Sequence, residues 1–167
     1  QNQENIETPF NIRPDYSIPP GEYRFADAEG RFDTSRARRV SLSGSLRAGD
    51  FWNGERWGFS AGGRLRFNEK LATTFSYSRE AVDLPDLSFN TNLLVVRVNT
   101  SFSTRMFLNV FSQYNTQSEQ VVTNLRFNFM HRPLSDIYLV LNETRSTNGA
   151  HAPSRTVALK VTHLLDF

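Results

Sequence analysis

From Gly21 onward the chain alternates apolar and polar residues with a period of two. The clearest run is Trp57 to Asn68, where Trp57, Phe59, Ala61, Gly63, Leu65 and Phe67 alternate with Gly58, Ser60, Gly62, Arg64, Arg66 and Asn68. Successive side chains of a strand point to opposite faces, so the run reads as a strand with one apolar and one polar face. Val40 to Ala48, Leu71 to Tyr77, Leu125 to Phe129 and Val157 to Phe167 repeat the pattern. The period predicts strands near 38–48, 57–68, 70–80, 88–102, 105–115, 120–132, 136–144 and 155–167, a weaker ninth at 22–32, and no helix. Within 88–102 the polar phase changes at Leu93 to Val96, which predicts a bulge there. Residues 1 to about 20 carry Pro9, Pro14, Pro19 and Pro20 without any period and read as an extended arm. The expected division is an acidic N-terminal arm over 1–33 and a sheet domain over 34–167.

The connections carry the topology. Asn68-Glu69-Lys70, Ser103-Thr104 and Arg132-Pro133-Leu134-Ser135 are tight, whereas 49–56, 81–87, 116–119 and 145–154 are mostly longer and rich in Gly, Asn, Pro, Asp or Ser. Short and long alternate, as an antiparallel up-and-down meander with one quiet and one elaborated end requires.

Three features turn the apolar face outward. Along the meander Trp57, Tyr77, Phe89 and Tyr114 fall at one level and Phe67, Phe102, Phe129 and Phe167 at the other, with smaller aliphatics between. Two aromatic girdles around an aliphatic band are the pattern of a transmembrane β-barrel. Strands of 10–12 residues suit a tilted bilayer crossing. The last strand, through Val161, His163, Leu165 and the terminal Phe167, resembles the assembly signal of bacterial outer-membrane proteins. The expected fold is therefore all-β, an antiparallel up-and-down transmembrane β-barrel of about eight strands with a possible ninth at 22–32. No run of apolar residues is long enough for a membrane helix.

The stretches IPPGEYRF (18–25), GDFWNGER (49–56), residues 102–143 and the closing LLDF resemble the C-terminal β-barrel region of a family of uncharacterised bacterial outer-membrane proteins. Longer members of that family resemble an N-terminal carbohydrate-binding-like module followed by a barrel. The resemblance implies an outer-membrane location and brings no catalytic residues with it. The chain shows no sign of the N-terminal module, and it opens on Gln1 with no leader pattern, as a processed secreted protein or a piece of a longer chain does.

Charge sharpens the picture. Of 19 basic residues only Lys70 and Lys160 are lysines, and arginine is the residue of paired or partly buried positive charge. With the apolar face in lipid, the lumen receives Arg47, Arg64, Arg66, Arg97, Asn109, Arg126 and Lys160, with Asn99, Gln113, Asn124 and Asn128 beside them and few acids beyond Glu80 and Asp166. Residues 1–33 hold seven acids against three arginines, and 34–167 sixteen bases against ten acids. An acidic arm against a basic lumen is one solution to that split, and a wider, wet barrel is the other.

Little catalytic chemistry is visible. His131, His151 and His163 lack metal-ligand spacing, and Ser146 and Ser154 near His151 reflect loop composition. Glu80, Asp83 and Asp86 read as a solvated loop, and Gly62-Gly63 as close packing rather than a phosphate loop. The cysteine-free chain has neither disulfides nor thiolate sites, and its dispersed arginines do not form a nucleic-acid surface. No cofactor and no enzymatic activity are expected. The expected role is structural, an anchor or partner subunit in a bacterial outer-membrane assembly, with membrane lipid, the barrel-assembly machinery and other envelope subunits as partners. A narrow anion-preferring channel is the alternative. A soluble ligand-binding barrel would instead turn Phe59, Phe75 and Phe127 inward.

Overall fold

The computed structural model describes residues 2–13 and 16–164. Four short strands come first, β1 (Asn2–Ile6), β2 (Phe10–Arg13), β3 (Tyr16–Ile18) and β4 (Gly21–Phe25). There follow β5 (Asp27–Asp33), β6 (Val40–Phe51), β7 (Gly54–Arg66), β8 (Leu71–Leu84), β9 (Leu87–Ser103), β10 (Met106–Asn115), β11 (Gln120–Arg132), β12 (Ser135–Ser146) and β13 (Ser154–Val161). β5 to β13 form one nine-stranded sheet in chain order, every neighbouring pair antiparallel.

The meander agrees with the period-two reading, and four features differ. The sheet is open: β5 and β13 stand at its two edges and no pairing closes it into a barrel among the described residues. The segments 49–56 and 81–87 are not long loops, because the ladders run on through Phe51↔Gly54 and Leu84↔Leu87 to the two-residue turns Trp52-Asn53 and Pro85-Asp86. The expected bulge at Leu93 to Val96 is absent. The pairing of β8 with β9 is continuous there, and the irregularity lies at Met106/Phe107 opposite Ser103 and Ser101. Finally, the weak strand at 22–32 is two strands hinged at Ala26, and only the second, β5, joins the sheet.

The register also shows how the strands lean. One row of paired residues runs Phe32, Gly44, Ala61, Tyr77, Leu94, Tyr114, Val121 and Arg145. It starts one residue from the end of β5 beside the 34–39 connection and finishes one residue from the opposite end, that of β12. The strand ends thus drift by about nine residues, or about 30 Å, across seven spacings of about 4.8 Å, a lean of about 40°. For brevity, the end of the sheet carrying the Trp52 turn is the Trp52 end, and the one carrying the Pro133-Leu134 turn is the Pro133 end.

The arm is packed rather than extended. β1 pairs with β4 and β2 with β3, and together they cover the Trp52 end of β6 to β9. The buried apolar side chains of the described residues are Ile18 (0% exposed), Val82 (8%) and Leu84 (4%), with Ile6, Ile12, Tyr16, Tyr23, Phe51, Trp52, Leu87 and Phe89 packed around them. At its centre Trp52 holds a positive φ of 55°, costly for a bulky side chain and kept only where the surroundings over-determine it. Phe10, Tyr23, Phe25 and Phe51 supply that constraint, with ring centroids 5.5–6.4 Å from the Trp52 ring. The only dense core therefore belongs to this cap, and the sheet beyond it has none among the described residues.

Truncating Ile18 to Ala should cost the cap about 2–5 kcal/mol. Hydrogen exchange should show faster exchange in β1 to β4 and a red-shifted Trp52 emission, with β10 to β12 unchanged; equal loosening of the whole sheet would contradict a separate cap core.

Candidate functional site

Directly paired residues of neighbouring strands share a face, so the register sorts the side chains. Arg47 pairs with Gly58; Arg64 with Thr74, and Thr74 with Arg97; Arg66 with Ala72, then Asn99, Asn109 and Arg126 in turn; and Asn128 with Tyr138, then Lys160. Arg47, Arg64, Arg66, Arg97, Asn109, Arg126 and Lys160 therefore all lie on one face. A cavity of about 460 Å³ opens on it, lined from β7 to β12 by Arg64, Arg66, Asn99, Asn109, Arg126, Asn128 and Tyr138, with Lys70 and Glu69 at the β7–β8 turn. One cavity lined by six successive strands requires the sheet to curl toward this polar face.

Charge on the concave face is unevenly matched. At the Trp52 end Asp27 lies 2.6 Å from Arg47 Nε and 3.2 Å from the Arg56 guanidinium, and Glu29 is 3.8 Å from Arg47. The contact between acidic arm and basic face is therefore local, made by Asp27 and Glu29. Toward the Pro133 end, Arg64, Arg66, Arg97, Arg126 and Lys160 make no ion pair among the described residues. Arg66 donates to the Arg36 carbonyl at 3.4 Å, and Arg97 lies 5.3 Å from the Phe111 ring. Chemically this is a donor-rich surface for anionic groups.

The opposite, convex face is apolar and open. Val40, Leu42, Leu46, Trp57, Leu65, Phe75, Leu94, Val96, Phe102, Leu139, Val157, Leu159 and Val161 are exposed, Leu46 to 68% and Val157 to 63%. Phe59, Phe75 and Phe127 share this face. Gly63 lies directly beneath the Phe75 ring, where an added Cβ would come within 2.8 Å of ring carbons, so Gly62-Gly63 does serve close packing. Trp57 and Tyr114 lie on this face toward the Trp52 end, where Arg79 lies over Trp57 at 5.8 Å. Tyr77, expected at the same level, stands instead at mid-strand opposite Ala61, with its hydroxyl donating to Asn92 at 2.7 Å. Phe102 and Phe129 lie on it toward the Pro133 end, and the exposed Phe67 follows β7.

Phe89 departs from the expected girdle. Without a bulge in β9 it keeps the phase of Val95 and Arg97, pairs with Val82, and turns to the concave side against the cap core. In the expected assembly signal Val161 is exposed and His163 stacks on His131 with ring centroids 5.7 Å apart; Leu165 and Phe167 lie outside the described residues. Glu143 was not foreseen on the apolar face, and there it is paired with Arg155 at 2.6 Å and Arg145 at 3.0 Å near the Trp52 end. His151 is exposed, Asp83 accepts a hydrogen bond from Ser88, and no group of three metal-ligating side chains comes together among the described residues.

The Trp52 cage escaped the sequence reading. Its only signals were the adjacent Phe51-Trp52 pair and the aromatic residues Phe10, Tyr23 and Phe25 in the proline-rich arm, which has no period to interpret.

Asp27→Asn removes the carboxylate that pairs with Arg47 and Arg56, so it should loosen the junction of β5 with the cap, seen as faster hydrogen exchange in β5 and a shifted Trp52 emission. Exchange and emission equal to those of the unmutated chain would contradict the assignment.

No protein-family model matches the chain, and no curated protein sequence matches it significantly. The concave basic face, the convex apolar face and the cap are therefore the ground for a functional reading.

Proposed function

We propose that this chain forms part of the wall of a transmembrane β-barrel in the bacterial outer membrane, with a structural role as an anchor or partner subunit of an envelope assembly. The observation that carries the reading is the convex face: large aliphatic and aromatic side chains stand open on it while the sheet beyond the cap has no core. In water such a surface drives aggregation, whereas in a bilayer it is the solvated one. Two further features support it. The lean of about 40° is that of strands in membrane barrels, and Trp57 and Tyr114 stand toward one end of the apolar band with Phe102 and Phe129 toward the other. In this reading the Pro133-Leu134 turn faces the periplasm, and the Trp52 end with its cap faces outward.

The unpaired Arg64, Arg66, Arg97 and Arg126 favour a second reading, an anion-preferring pore, in which they line the path.

With Trp52→Phe leaving Trp57 as the sole tryptophan, the refolded chain in lipid vesicles should show blue-shifted emission, quenched most by lipids brominated near the headgroup end of the acyl chain. Emission typical of water and insensitive to every brominated lipid would contradict membrane insertion. In planar bilayers, steady anion-selective steps would decide for the pore and silence for the structural role.

A further inference from the structure

We propose that the barrel is closed by a β-segment lying outside these 167 residues, contributing an odd number of antiparallel strands with an apolar outer and an acidic inner face. The inference rests on the transmembrane reading and names the partner that reading requires.

Strand direction rules out direct closure. Nine strands in strict antiparallel succession leave β5 and β13 running the same way. Pairing β5 directly with β13 would make one parallel seam in an otherwise antiparallel wall. A second copy gives no relief, because copies sharing a membrane are related by rotation about its normal. That rotation preserves strand direction, so β13 of one copy would again meet β5 of the other in parallel. Bacterial single-chain barrels have an even number of antiparallel strands, and only an odd addition restores antiparallel pairing at both edges.

Both edges are also open to pairing. β5 and β13 are exposed along their whole described lengths, and neither contains a proline to block pairing. In hydrocarbon an unpaired row of backbone groups is not tolerated. The chain's own arm cannot fill the gap: it is interrupted by Pro9, Pro14, Pro19 and Pro20, and it is committed to the Trp52 cage.

Charge gives the partner its chemistry. Arg64, Arg66, Arg97, Arg126 and Lys160 face the concave side without a carboxylate partner among the described residues. β5 turns Asp27, Glu29, Arg31 and Asp33 to that side, so the inward row at this edge is net acidic, with three carboxylates against one guanidinium. A closing segment with inward carboxylates continues that edge and supplies the counter-charge that the rest of the wall lacks.

The test uses the full chain in detergent micelles and two designed twelve-residue peptides that alternate Leu and Val with either Glu or Lys. The expected result is that the Glu peptide slows amide exchange in β5 and β13 at least tenfold while the Lys peptide does not. β10 and β11, protected throughout, report that the sheet is folded. In parallel, a variant carrying Gly30→Cys and Leu159→Cys is oxidised; Gly30 has open space around it and both positions are mid-strand on the outer face of their edges. No disulfide joining the two positions, within a monomer or between two copies, should form. A high yield of that disulfide in monomer or dimer would overturn the proposal, as would protection by neither peptide or by both equally.

Discussion

The register of the antiparallel ladder is the constraint on which the rest of this structure depends. Cross-strand partners share a face and the side-chain period is two, so a slip of one residue would exchange the faces of a strand. In the register observed, the arginines of β6, β7, β9 and β11 stand together, and the aliphatic positions form one band on the other side. The drift of strand ends against the same hydrogen-bonded rows sets the lean of the sheet. Two-facedness, curl and tilt therefore follow from one set of backbone pairings rather than from a packed interior.

That explains which parts were legible in the sequence. Strand existence and the face of Arg47, Arg64, Arg66, Arg97, Arg126 and Lys160 follow from alternation alone, because period two reports on every residue of a two-sided sheet. Leu93 to Val96 is apolar on both faces, and a run without alternation cannot reveal whether the phase slips, so the face of Phe89 is not legible from the sequence. Gly, Asn, Asp and Pro at 49–56 and 81–87 are turn formers and predict loops around Trp52 and Pro85, while the long hairpins continue on backbone pairing that composition does not report. Four prolines erase periodicity in the first 20 residues, so the sequence predicts an extended arm there, whereas a long-range aromatic cage around Trp52 organises the cap. Closure was not legible either, since alternation counts strands and leaves open how the edges are met.

Charge divides the molecule along its length. At the Trp52 end Asp27 and Glu29 neutralise Arg47 and Arg56, and the arm is joined to the sheet by an electrostatic contact beside an apolar core. Toward the Pro133 end the concave face keeps its positive charge, with one hydrogen bond from Arg66 to a backbone carbonyl and the Arg97 ring contact in place of ion pairs. The compositional preference for arginine fits both settings, because a guanidinium serves paired carboxylates, carbonyls and aromatic faces alike. The pair Glu143 and Arg155 on the apolar side lies near the Trp52 end, where charge is least costly to a membrane strand.

Strand orientation in a bilayer tests the central claim most directly. Polarised infrared dichroism of the amide bands, recorded on the chain refolded into oriented lipid multilayers, should report strands inclined about 40° to the membrane normal. Strands lying flat on the lipid surface, or no preferred orientation at all, would contradict the account.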